Sequence, residues 1–308
     1  MLDMRVVVER MLIVLILMAV GFVARKTGRT DAVANQKLSH IIINVAQCGM
    51  ILGAVMNAEL GITRAQALGG LGISFGLMAL FLCIGYLTPV LLRAKGETRG
   101  TYRFMSAFGN TGFIGMPIIG SVFGREAVLL VALFNIPFNL SVYTLGMAMI
   151  SGGEHKVRFS LKALLSPPVV ASLLALLIFL FDIPFPTVVA DAAVTLGELV
   201  LPGCLLVLGG SLGAIPLKEV FNTGRVYLLL FIKHIAEPVI VWAILRPFIS
   251  DPLVLGTFTL IASMPIAAAS TMLSIEYGGD EVLATKSVFL SSLASVGTIP
   301  LIAYLLLR

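Results

Sequence analysis

The apolar residues of this chain fall in blocks of about twenty, each closed by a short polar stretch, and that is the length an α-helix needs to cross a bilayer. In hydrocarbon every backbone N–H and C=O must be satisfied within the protein, which leaves only helices or closed barrels. The ten-residue alternation of a barrel strand is absent, so helices remain. Composition agrees: 58% of the 308 residues are hydrophobic and 12% are charged, with a mean hydropathy of +1.04. A soluble domain carries about twice that charged share. The net charge of +5 marks no nucleic-acid surface, because the Lys and Arg residues lie in the connections between blocks. Cys48, Cys83 and Cys204 sit inside apolar blocks without paired spacing. They read as core residues, and neither a metal nor a cofactor is expected.

Ten spans can be drawn, at 6–24, 38–57, 67–92, 102–122, 126–150, 163–181, 193–214, 226–248, 252–275 and 284–307. The first has the length of a signal peptide, but its basic flank, Arg25, Lys26 and Arg29, lies behind it, so it reads as a retained span. The first and third connections hold Arg25, Lys26, Arg29 and Lys37, then Arg93, Lys95, Arg99 and Arg103. The fifth and seventh hold Lys156, Arg158 and Lys162, then Lys218 and Arg225. Between them the second, fourth, sixth and eighth hold Arg64, Arg125 and Arg246. The positive-inside rule then makes odd connections cytoplasmic and places both termini outside an inner (plasma) membrane.

A five-helix unit is odd, so a duplicated one enters the membrane upside down the second time, an architecture common in secondary transporters. The halves would be 1–150 and 151–308, joined by the longest connection, 151–162, with no soluble domain. Matching pairs support this: Met116-Pro117 and Met264-Pro265 in the fourth span of each half, Ile136-Pro137 and Ile299-Pro300 in the fifth.

The fourth span runs Ser106-Ala-Phe-Gly109-Asn110-Thr111-Gly112-Phe-Ile-Gly115-Met116-Pro117. Gly and Pro both disfavour a helix interior, so this segment is expected to break. The ninth span, with Ser263, Met264, Pro265 and Ser270, is its counterpart. Paired interrupted spans point to a transporter's binding site, where half-helix N-termini aim N–H groups at one point and suit a carboxylate. The bland alternative is kinking and close packing, since other spans hold Pro too and Gly49-x-x-x-Gly53, Gly72-x-x-x-Gly76 and Gly120-x-x-x-Gly124 have packing spacing.

At these residues the chain resembles the auxin efflux carrier family of permeases. The resemblance rests on Asn110…Gly115-x-Pro117, on Met264-Pro265 followed by Tyr277-Gly278-Gly279-Asp280, on Leu293-Ala-Ser-Val-Gly-Thr-Ile-Pro300 and on Gly21-Phe-Val-Ala-Arg25. It implies an all-α transmembrane fold of ten helices in two inverted five-helix repeats, with broken helices four and nine crossing at their prolines, similar to bile-acid sodium symporters and NhaA-type antiporters. It further implies a homodimer and elevator-like transport of a small organic anion, auxin-like or malate-like. The substrate site would hold Asn110, Gly112, Gly115, Met116, Pro117, Ser263, Met264, Pro265, Gln47 and Asn135. Gln47 stands in Ala46-Gln47-Cys48, where the family has Leu-Pro, and either lines the site or faces a neighbouring helix; the seventh span keeps Leu201-Pro202.

The eighth span carries Lys233, His234 and Glu237, and ionisable groups at membrane depth are functional candidates by default. His234 and Glu237, three apart, share a face and are in reach of one another. A proton relay or a counter-charge to the anion is the functional reading; the other is that the trio sits near one membrane face and pairs internally or snorkels. Glu198 poses the same question. An intramembrane hydrolase lacks its partners, since no HExxH or GxSxG occurs. The ninth span offers no acidic ligand beside its break, so proton coupling or uncoupled movement is expected rather than sodium symport. A channel or a ligand sensor is the alternative to a carrier.

Overall fold

A computed structural model of the chain describes residues 4–56, 61–151, 165–214, 221 and 224–307. Apart from Ser151 the longest connection, with Lys156, Arg158 and Lys162, lies outside the described residues, as do His155 and Lys218. Among the described residues all regular structure is helical save a single two-residue bridge.

The helices overlap the apolar blocks of the sequence, several starting a few residues before them. The first half holds α1 (Met4–Lys26), α2 (Ala32–Ile41), α3 (Gln47–Gly53), α4 (Arg64–Leu91), α5 (Glu97–Ala107), α6 (Met116–Phe123), α7 (Arg125–Ser141) and α8 (Met147–Ile150). The second holds α9 (Pro167–Phe181), α10 (Thr187–Glu198), α11 (Val200–Gly213), α12 (Gly224–Phe231), α13 (Glu237–Leu245), α14 (Pro252–Ala262), α15 (Ala269–Tyr277) and α16 (Glu281–Leu306). Four starts are fixed by side-chain caps that satisfy otherwise orphaned amides, from Asp31, Asp251, Asp280 and a Thr63–Gln66 capping box. Among the described residues four helical stretches are long and apolar enough to cross a bilayer: Arg64–Leu91, Thr187–Ser211, Gly224–Leu245 and Glu281–Leu306. A fifth path, Arg125–Ser141 with Thr144–Ile150, is bent by 43°.

Four turns are widened to one more residue than an α-turn, at Ile42–Ala46, Thr111–Gly115, Val142–Gly146 and Ile232–Ala236. Two of them immediately precede a proline, Pro117 and Pro238. A proline ring clashes with the carbonyl four residues back, and widening the preceding turn relieves that clash.

Two sets of helices are closely packed, joined where α9 packs on α7 and α1 on α16. In the first, α1 lies along α11, and α3 lies along α9 and α10. Small residues let these backbones approach: a Cβ on Gly49 would stand 2.7 Å from that of Leu196, and one on Gly197 2.7 Å from Met50 Cα. In the second group α4 packs on α5 and α7, α13 on α14, and α15 on α16. The packing expected at Gly49 and Gly53 is present, whereas a Cβ on Gly72 or Gly76 would meet nothing within 4 Å.

Contacts between connections sort the ends of the bundle. The Gly61 amide donates to Glu126 Oε1 at 3.2 Å, Arg64 pairs with Asp182, and Gln66 donates to Asp251, which gathers the second, fourth, sixth and eighth connections. Elsewhere the Asp280 amide donates to Thr101 Oγ1 at 3.0 Å, and a Cβ on Gly279 would lie 2.8 Å from Ile150 Cγ2.

Candidate functional site

The two expected interruptions are real, and they are hydrogen-bonded to one another. Helix α5 stops at Ala107 and α14 at Ala262, and the residues that follow each are extended or irregular. Gly109 and Ile266 form an antiparallel bridge. The Asn110 amide donates to the Pro265 carbonyl at 2.6 Å, and the Ala267 amide to the Phe108 carbonyl at 3.0 Å. Each break thus supplies partners for the other, which answers the demand that buried backbone groups be paired. Pro265 lies inside its break. Pro117 does not: it lies in the helix that resumes at Thr111, behind the wide turn 111–115, so the first-half contact falls at Gly109 and Asn110 rather than at the proline.

Beyond the break the wide turn re-routes hydrogen bonding. The Met116 amide bonds the Thr111 carbonyl, which leaves the Gly112 carbonyl without its usual helical donor. Pro117 likewise has nothing to give Phe113. Both carbonyls are met from the other helix group: Gln47 Nε2 donates to Gly112 at 2.9 Å, and the Cys204 thiol to Phe113 at 2.7 Å. Gln47 therefore faces the broken span. Gly112 and Gly115 are needed for close approach, since their Cβ atoms would lie 2.9 Å from Gln47 Nε2 and 2.9 Å from Met264 Cγ.

Asn110, Thr111 and Asn135 meet here, all buried. Thr111 Oγ1 donates to Asn135 Oδ1 at 3.0 Å, yet Nδ2 of Asn135 and Nδ2 of Asn110 have no hydrogen-bond partner. Buried amide donors are rarely left so, because each costs about 1–3 kcal/mol unpaired. Of the other expected residues, Met116 and Met264 are fully buried, and the Ser263 hydroxyl turns back to the Thr259 carbonyl at 3.0 Å.

Lys233, His234 and Glu237 are all buried, at 1%, 1% and 0% exposure, so the snorkelling alternative does not hold. Lys233 and Glu237 form an ion pair at 2.6 Å, and the same ammonium donates to the Ser106 carbonyl at 3.0 Å. The cation thus caps the C-terminal end of α5, where the helix dipole favours positive charge. The expected His234–Glu237 bond is not formed. The imidazole turns to α16 instead, with Nε2 2.8 Å from Ser291 Oγ and Nδ1 3.0 Å from Thr298 Oγ1. Ser291 Oγ also accepts the Ile266 amide at 2.9 Å, which ties the ring to the second break. Glu198 is exposed at the α10–α11 junction and takes no part. Ser291, Thr298 and Cys204 were not singled out from sequence, although Ser287, Ser291 and Ser295 lie four apart along one face of an apolar helix.

Comparison with known proteins gives this geometry a setting. Residues 6–303 match the profile of a family described as membrane transport protein. The chain belongs to that family. Relatives include uncharacterized transporters of Methanothermobacter thermautotrophicus, 26% identical over 95% of this chain and 96% of theirs, and of Methanocaldococcus jannaschii, 24% identical over 96% and 98%. A third, from Rhizobium meliloti, is provisionally named a malonate transporter and is 25% identical over 80% of this chain and 78% of its own. The resemblance to the auxin efflux carriers is thereby borne out. The membrane transport protein family comprises transporters rather than enzymes, so a hydrolase reading is set aside.

Proposed function

We propose that the chain is a secondary transporter that moves a small organic anion through a site at the two breaks. The observation that carries this reading is the pair of buried, unpartnered amide donors, Asn110 Nδ2 and Asn135 Nδ2, beside the N-terminal turn leading into α6. Amide N–H groups and a helix N-terminus both favour a carboxylate oxygen. The malonate assignment of the Rhizobium relative supports the same cargo class.

The fold read here is ten spans in two inverted repeats, 1–150 and 151–308, with the fourth and ninth broken and crossing. The breaks that bond each other, and the gathering of even-numbered connections at one end, support it. Movement is read as elevator-like. Asn110, Asn135 and Met264 belong to the group around α4, α7 and α14, whereas Gln47 and Cys204 reach in from the group around α1, α3 and α11. The site thus lies on the boundary along which one group would slide past the other. The Lys and Arg residues of the odd connections support a reading with those connections in the cytoplasm and both termini outside the inner membrane.

Uptake of labelled malonate, indole-acetate and a neutral solute into proteoliposomes tests the proposal. Saturable uptake of an acid, with counterflow by unlabelled acid, is expected and separates a carrier from a channel or a sensor. Asn110→Ala should raise the half-saturating concentration about tenfold or more. No uptake of any anion would sink the reading.

A further inference from the structure

A neutral ring carrying its hydrogen on Nδ1 satisfies the hydrogen bonds around His234. In that arrangement Thr298 donates its one hydroxyl proton to the Ala294 carbonyl at 3.1 Å and its oxygen accepts from the ring. Nε2 is left with a lone pair. Ser291 then donates to Nε2, while its oxygen accepts the Ile266 amide. A continuous path results, from the ring through Ser291 to Ile266, whose neighbour Pro265 accepts the Asn110 amide. The ring is three residues from the proposed anion site and bonded to it throughout.

Few charged groups surround His234. On its own helix Lys233 and Glu237 neutralise each other, and Lys233 is the charged neighbour that acts on the ring. The elements packed against this turn are its own flanks α12 and α13 together with α16, and the end of α14 reaches it at Ser263. Of their charged residues α12 has Arg225, α13 has Glu237, and α16 has Glu281 and Lys286, both at least five residues before Ser291; α14 has none. What faces the ring from these elements is Ser291, Thr298 and the backbone of Ser263.

We infer that His234 is the proton site of a proton-coupled anion transporter, taking up a proton at Nε2 when the anion binds and giving it back when the anion leaves. This rests on the anion reading above. On protonation an Nε2–H bond forms at the expense of a solvent proton, and the ring now donates to Ser291 Oγ. The Ser291 hydroxyl proton must turn away, and the carbonyl of Ser287, four residues back in α16, is the usual acceptor for a helical serine. Ser291 then accepts from both the ring and Ile266, so the second break reports the ring's charge. The cluster of Lys233, His234 and Glu237 passes from net zero to net positive beside the carboxylate. Each event favours the other, and linkage makes the favour reciprocal.

The test uses full-length protein in nanodiscs, with His40→Asn and His155→Asn so that His234 is the remaining histidine of three. Nitrogen NMR of labelled histidine is recorded from about pH 5 to pH 8, with and without saturating malonate. The expected result is a neutral ring protonated on Nδ1, and a titration midpoint that malonate raises by about one pH unit, a tenfold coupling. Ser291→Ala should change the tautomer balance and reduce that rise. In proteoliposomes made with the wild-type chain, acid outside should drive malonate uptake. In His234→Gln and in Ser291→Ala the ratio of acid-driven uptake to malonate exchange should fall about tenfold. Exchange that persists in every variant with an unaltered response to the gradient, or a midpoint indifferent to malonate that is being exchanged, overturns the proton site alone. Absence of exchange in wild type overturns the anion reading, and the proton site with it.

Discussion

Lys233 performs three tasks at once: it balances Glu237, it closes the end of α5 through Ser106, and its ammonium lies 5.3 Å from the centre of the Phe81 ring. Deleting one member of a buried pair strands the other charge, which costs about 3–5 kcal/mol, whereas deleting both removes the problem. Lys233→Met or Glu237→Gln alone should therefore lower thermal stability markedly in detergent, and Lys233→Met with Glu237→Leu should recover most of it. A double variant no more stable than the singles would mean that the pair does more than cancel charge. That these residues would lie in the interior was legible from their type and their place in an apolar block. Their pairing was not, because three- and four-residue spacings both share a helix face, and only the helix's rotation decides that Glu237 meets Lys233 and that His234 faces α16.

At the level of elements, the breaks were readable and their exact positions were not. Clustered Gly, Asn and Pro announced a discontinuity in 109–117, but the chain opens at Phe108–Asn110 and resumes helix at Thr111, with Pro117 inside it behind a widened turn. Small-residue spacing was equally ambiguous: Gly115 abuts Met264, while Gly72, with comparable neighbours in sequence, touches nothing. This contrast makes a prediction. Gly115→Leu would drive a side chain into Met264 of the other break and should abolish malonate uptake, while Gly72→Leu should leave uptake within about twofold, surface changes being worth about ±0.5 kcal/mol. The serine face of α16 was visible as a pattern, but nothing in the sequence says which helix end it will serve.

For the whole molecule, the Arg64–Asp182 pair joins the start of α4 to the end of α9, a helix that packs on both α3 and α7. If α9 moves with α3 while α4 slides past, these residues part in each cycle. With Cys48, Cys83 and Cys204 replaced, Arg64→Cys and Asp182→Cys joined by a short reducible crosslinker should stop uptake, and reduction should restore it. Uptake that continues while the residues are joined would argue against sliding along this boundary. The same scale brings a consequence of the Lys233–Glu237 pair. Because the two cancel, the protein contributes no fixed charge of its own to the cargo it carries. A monocarboxylate accompanied by one proton then crosses silently, indifferent to voltage. A dicarboxylate with one proton hauls a single negative charge, and about 100 mV does about 2.3 kcal/mol of work on it, nearly a fiftyfold concentration ratio. In a cell that is negative inside, the resting voltage alone would push dianions out and leave monoanions to follow the proton gradient.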